Sequence, residues 1–115
     1  FLKFFFKKFF EIFFDGDYAG SVARIPSEGS IKANFHAGGS AKKTGLVFRD
    51  KQIIDKIGKD LKKLDLFFVG IDIIGDYLTE INVTSPTGIK QINKLNNVKL
   101  EQVFWDKLEA KYKLV

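Results

Sequence analysis

Residues 69–89 read VGIDIIGDYLTEINVTSPTGI. They set Asp72, Glu80 and Asn82 on two short apolar strands and follow them with Ser85, Pro86 and Thr87. Strands this rich in Val and Ile lie against a core. Ionised groups facing inward from them are costly unless paired, hydrogen-bonded or bound to a cation. Three oxygen-bearing side chains with no His or Cys among them point to Mg²⁺ rather than zinc. The plain alternative is one solvated carboxylate and two capping groups.

Whether the three residues meet depends on the parity of the hairpin. Alternation puts Gly70, Asp72 and Ile74 on one face of the first strand and Leu78, Glu80 and Asn82 on one face of the second. For Asp72 to oppose Glu80, paired residue numbers must sum to an even total, which calls for an odd loop such as Gly75, Asp76 and Tyr77. A two-residue turn at Gly75 and Asp76, the commonest hairpin connection, would place the two carboxylates on opposite faces. The loop expected here has three residues. Glu80 and Asn82 then stand roughly 6.5 Å apart along their strand, a span that a cation and the phosphate oxygens it bridges can cover.

Downstream, residues 86–94 read as a helix with Ser85 at its cap and Pro86 in first position. Such an N-terminus favours anions, so Ser85 and Thr87 are candidate contacts to a carboxylate or phosphate. A last helix over residues 100–112 gathers Leu100, Val103, Phe104 and Leu108 on one side, with Trp105 as packing. Upstream, Asp50 can cap a helix whose apolar face is Ile53, Ile54, Ile57, Leu61 and Leu64.

Between Arg24 and that helix runs IPSEGSIKANFHAGGSAKKTG, rich in Gly, Ser and Ala and without a sustained period. Loops longer than about 12 to 15 residues are uncommon in compact domains and are usually functional or disordered. Gly38 and Gly39 leave the backbone free to close over a ligand. The loop matches neither G-x-x-x-x-G-K-[ST] nor G-x-G-x-x-G. His36 is the only histidine; with no acid or nucleophile arranged beside it, it reads as a solvated loop residue.

The start, FLKFFFKKFFEIFF, holds eight of the 13 Phe in fourteen residues. As a helix it is amphipathic and suits an anionic membrane surface or a partner. Its second half reads better as a hairpin, residues 11–14 leading through Asp15, Gly16 and Asp17 into a strand over residues 18–25. A reading-frame slip in a homopolymer-rich coding stretch would also produce such a run. Residues 1–14 are therefore set apart from residues 15–115.

The 115 residues, 45% hydrophobic, suit one domain, able to bury roughly two thirds of its unfolded surface. Absence of Cys excludes disulfides, thiolate catalysis and Cys-based metal sites. A chain that opens on Phe1 and contains no Met reads as a fragment or a processed or truncated product. The net charge of +5 suits an anionic partner. The Lys residues fall on helical faces without interleaved aromatic residues, which argues against nucleic acid. No apolar run reaches the roughly 18 residues of a membrane span.

The stretch DIIGDYLTEINVTSPTGI, residues 72–89, resembles the closing segment of the bacterial-type glutathione synthetases, which are ATP-grasp ligases. Arg24, Ile25 and Pro26, then Asn34 and the Gly38 and Gly39 pair, resemble the mobile loop with which that family covers its active site. The resemblance begins at about Asp15. It implies an α+β fold, the C-terminal lobe of an ATP-grasp domain: a mostly antiparallel sheet, helices packed on one side, and a Gly-rich mobile loop. It further implies a cytoplasmic, homo-oligomeric ligase that joins γ-glutamylcysteine to glycine with ATP, through an acyl phosphate. Mg²⁺, or Mn²⁺ in its place, would be held by Asp72, Glu80 and Asn82, and Arg24 and Asn34 would serve the phosphates and the acyl phosphate. Gly38, Gly39, Ser85 and Thr87 complete the implied contacts to ATP and substrate. The family's adenine-binding and phosphate-binding Lys residues and hinge lie upstream of the segment present here. The family also carries a charged Asp-Lys-Arg run where this chain has Lys7, Lys8 and Phe9. Two other readings stay open: another ATP-grasp carboxylate–amine ligase, and a non-catalytic basic module that binds a membrane surface or a partner through its Phe-rich start.

Overall fold

The structure, a computed structural model, describes residues 8–25, 40–42 and 46–113, with backbone only for Lys8, Arg24, Ile25 and residues 40–42. In chain order the elements are β1 (Lys8–Phe14), β2 (Asp17–Ile25), β3 (Ser40–Lys42), α1 (Phe48–Lys63), β4 (Phe68–Ile74), β5 (Tyr77–Asn82), α2 (Ile89–Asn96) and α3 (Leu100–Tyr112). The five strands form one antiparallel sheet in the order β3-β2-β1-β4-β5.

Alternation along the central strand builds two cores. Phe10, Ile12 and Phe14 of β1 face one way and join Val22, Ile92 of α2 and Leu100 of α3. Phe13 faces the other way with Val69, Ile71 and Ile73 of β4, covered by Ile53 and Leu61 of α1. The sheet is therefore flanked on both faces, where the sequence predicts helices on one. The neighbouring inner strands β1 and β4 carry apolar residues at odd and even positions alike, and each such face needs a cover. A buried Phe or Ile contributes about 2 kcal/mol, so β1 contributes to both cores at once. The Phe-rich start thus continues, from Lys8 on, as the middle strand of the domain, and the division drawn after Phe14 falls in the turn between β1 and β2.

The helices differ from expectation at their ends. Asp50 does not precede α1 but is its third residue; the N-cap position is Val47, whose amide donates to Asp50 Oδ2 at 3.2 Å. Asp50 thus caps from inside the first turn, the return half of a capping box. Leu64 follows the last turn and is 66% exposed, outside the apolar face. At the closed end of the β1–β2 hairpin Asp17 takes Lys62 of α1 at 2.9 Å and Lys107 of α3 at 2.8 Å, tying both helical layers to one turn. The Lys107 hydrogen bond is the main reason its carboxyl is held below the usual range.

Gly58, in the middle of α1, lies against the turn residue Gly16: a Cβ on Gly58 would stand 2.5 Å from the Gly16 carbonyl oxygen. Ala is normally favoured over Gly in a helix by about 1 kcal/mol. Here the obstacle is backbone, and overpacking costs about 1 to 3 kcal/mol or more. Gly58→Ala is therefore expected to destabilise by about 2 kcal/mol in urea unfolding, the opposite sign to propensity.

Candidate active site

The β4–β5 hairpin carries the candidate ligands. Its turn has two residues, Gly75 and Asp76, with Ile74 paired to Tyr77 and Ile73 to Leu78. The three-residue loop expected from the sequence is absent. Continued regularly, this register would send Asp72 and Glu80 to opposite faces. One residue further a β-bulge intervenes: Thr79 is the extra residue, and beyond it Asp72 pairs with Glu80 and Gly70 with Asn82. The bulge restores by an inserted residue the parity that the turn removed. Its cost in lost pairing is partly offset by the Thr79 hydroxyl, which donates to the Asp72 carbonyl oxygen at 3.2 Å. Leu78, expected beside Glu80 and Asn82, instead packs on the α1 side with Ile73.

Asp72 is 7% exposed on the inner strand, and Glu80 lies open on the edge strand. Asn82 has a second duty. Its Oδ1 accepts the amides of Thr84 and Ser85, each at 3.1 Å, and the Thr84 hydroxyl at 3.3 Å. These bonds fold residues 83–85 back over the end of β5, the side-chain turn that Asn favours. A cation taken by Asn82 would share an oxygen already engaged. Among the described residues no group of three or more His, Cys, Asp or Glu clusters. The candidate set is two carboxylates and one amide oxygen, a donor set that fits Mg²⁺ and not zinc.

Ser85 and Thr87 are exposed on the irregular segment between β5 and α2 and not on a helix N-terminus. The predicted helical start at Pro86 is corrected to Ile89, with Gly88 in the N-cap position at φ 109° and no side-chain cap. The Asn82 turn claims the Ser85 amide, and the left-handed Gly88 makes the change of direction into α2 that a side chain would resist. Thr87 borders a shallow cavity of about 400 Å³ lined by Phe68, Pro86 and residues 88–91.

Of the other predicted residues, Arg24 lies on β2 with its backbone opposite Lys8 and Ala41, two positions beyond Val22, which shares the cross-strand level of Phe10 and Asp72. Asn34, His36, Gly38 and Gly39 lie outside the described residues; within the stretch expected to be a loop, Ile25 ends β2 and Ser40–Lys42 form the edge strand β3. The structure therefore brings together Asp72, Glu80 and Asn82, with Ser85 and Thr87 on the segment that follows. Thr79 is an ordinary strand residue by type, so no local signal marks the bulge there. Glu11, a lone charge in an apolar run, is not among the predicted residues.

Glu11 faces the α1 side of β1, fully buried, with neither carboxyl oxygen hydrogen-bonded among the described residues. Burial, and secondarily the charge of Asp50, push its carboxyl up to about 8. It stands opposite Ile71 and not Asp72, on the far face of the sheet from the candidate ligands.

Residues 10–97 match the family described as prokaryotic glutathione synthetase, ATP-grasp domain. Among curated relatives, the glutathione synthetase of Mesorhizobium japonicum is 43% identical over 102 residues, 89% of this chain and 33% of the relative. That of Brucella melitensis is 44% identical over 100 residues, 87% of this chain and 32% of the relative. That of Rhodopseudomonas palustris is 45% identical over 100 residues, again 87% and 32%. The chain spans about a third of the length of these relatives.

Proposed function

The chain belongs to the prokaryotic glutathione synthetase ATP-grasp family, and from that premise we propose that it is the C-terminal part of an ATP- and Mg²⁺-dependent ligase joining γ-glutamylcysteine to glycine through an acyl phosphate. The observation that carries the reading is the pairing of Asp72 with Glu80 across a bulged hairpin. Like charges directly opposite are destabilising, and a cation held between Asp72 and Glu80 would offset that repulsion.

Asp72 and Glu80 hold Mg²⁺, and Asn82 adds an oxygen while fixing the 83–85 segment. Bound there, the ion would offset the charge that accumulates on the β- and γ-phosphates during transfer. Ser85 and Thr87 present a hydroxyl pair to an anionic group. Arg24 and Asn34 steady the acyl phosphate before the glycine amine attacks, and Gly38 and Gly39 let the loop close over it. The full-length enzyme is a cytoplasmic homo-oligomer, and these 115 residues alone bind ATP weakly and do not turn over. Against the membrane-module reading stands the burial of Phe10, Ile12, Phe13 and Phe14 in the two cores; among the described residues no helix is long and apolar enough to cross a membrane.

Calorimetry of MgATP binding to this chain and to an Asp72→Ala, Glu80→Ala variant tests the reading. Weak binding that requires Mg²⁺ and drops at least roughly tenfold in the variant is expected, since each lost charged contact is worth about 1.5 kcal/mol or more. Binding that is indifferent to Mg²⁺ or to the two carboxylates would overturn it.

A further inference from the structure

Phe10 has no part in the roles assigned above, yet its ring lies where the two halves of the candidate site meet. It stands opposite Asp72 across β1 and β4 and is 4% exposed. A Cβ on Gly70 would lie 2.9 Å from Cε2 and Cζ of the ring and 2.8 Å from the Pro86 Cβ. A Cβ on Gly88 would lie 2.8 Å from the ring's Cδ1. The ring is thus wedged between the backbone of β4 at Gly70 and that of Gly88, and glycine on each side leaves room for nothing but the ring. Interiors are close-packed, so a wedge of this kind fixes a distance.

We propose that Phe10 is a positioning residue, whose ring sets the spacing between the Asp72–Glu80 strand pair and the Ser85–Thr87 segment with the first turn of α2. The inference rests on the reading that these two groups serve one anionic, metal-bound ligand. It makes the floor between them aromatic carbon, which offers the ligand no charge of its own, and the ring decides how deep that ligand sits.

Residue-resolved amide exchange by NMR, on wild type, Phe10→Leu and Phe10→Ala, tests it. The Ile92 amide, bonded to the Gly88 carbonyl at 3.0 Å, reports the start of α2; Ile71 and Ile73 report β4. In Phe10→Ala exchange at Ile92 is expected to rise tenfold or more beyond any change at Ile71 and Ile73, and Phe10→Leu recovers most of the protection. Equal acceleration at all three amides would make Phe10 a core residue and no more, and would overturn the proposal. Should Phe10→Ala not fold, Gly70→Ala approaches from the other side: its Cβ presses on the ring, Ile92 loses protection, and adding Phe10→Leu restores it. Absence of that restoration would equally overturn it. MgATP titrated into Phe10→Ala should bind severalfold more weakly than to wild type and Phe10→Leu should recover most of that affinity, while Mg²⁺ alone binds all three alike. A wild type that takes up neither Mg²⁺ nor MgATP would sink the functional reading, and the exchange comparison would still decide the role of Phe10.

Discussion

Glu11→Leu is expected to stabilise the domain, and by about 4 kcal/mol more at pH 8 than at pH 5. The carboxyl sits fully buried on the central strand without a hydrogen bond among the described residues. Its proton is held to about 8, against an ordinary value of 4.5, because burial disfavours the charged form and Asp50 adds a like charge. Between these values the folded state binds one proton more than the unfolded chain, so wild-type stability falls as pH rises, at about 1.4 kcal/mol per pH unit. The stabilisation is complete below pH 4.5 and gone above about pH 8. Asp17, whose carboxyl is held low, acts in the opposite sense, and its contribution is lost only as pH falls below its ordinary value of 3.8, outside this window. Urea unfolding of wild type, Glu11→Leu and Glu11→Gln at pH 5, 6.5 and 8 checks the slope. Both variants should lose it, since neither carries a titrating group, and a wild type as steep as its variants would show that Glu11 reaches a partner when it ionises.

The second large effect is of opposite sign. Phe14→Ala should cost about 3 to 5 kcal/mol, the range for truncating a buried Phe. The ring is fully buried, with centroids 5.6 Å from Phe68 and 5.5 Å from Phe104, an aromatic group that joins β1, β4 and α3. At the low end of ordinary domain stability, a loss of this size leaves little folded protein, so near-ultraviolet dichroism and a urea melt should both report it. The same experiment judges the Phe-rich start. If the stretch were a surface-binding appendage, replacing Phe14 would alter vesicle binding and leave the unfolding midpoint where it was.

Much of the scaffold could be read from local pattern. The turn at Asp15 and Gly16, the α1 face of Ile53, Ile57 and Leu61, and the last helix from Leu100 all follow from periodicity and turn chemistry, which depend on neighbours a few residues away. So does the choice of Asp72, Glu80 and Asn82 as oxygen donors on apolar strands. Helix starts were less legible, because a cap is decided by which amide finds which acceptor. Asn82 took the Ser85 amide, and α2 began three residues later than Pro86 suggested.

By itself the sequence determined the type of every element but β3, the family and the choice of candidate ligands, all written in local spacing and short motifs. Tertiary structure alone decided the order of strands, the division of helices between two faces and the parity of the β4–β5 hairpin. β1 pairs with β4 some sixty residues away, and no local signal specifies a partner at that distance. The bulge at Thr79 lets Leu78 pack on the α1 side with Ile73 while Glu80, two residues on, stands beside Asp72 on the other face, a conflict that only the assembled sheet poses. The burial of Glu11 has the same origin: a charge that local pattern assigns to a solvated face is carried inside because every other residue of β1 from Phe9 to Phe14 is apolar and both faces of that strand are covered.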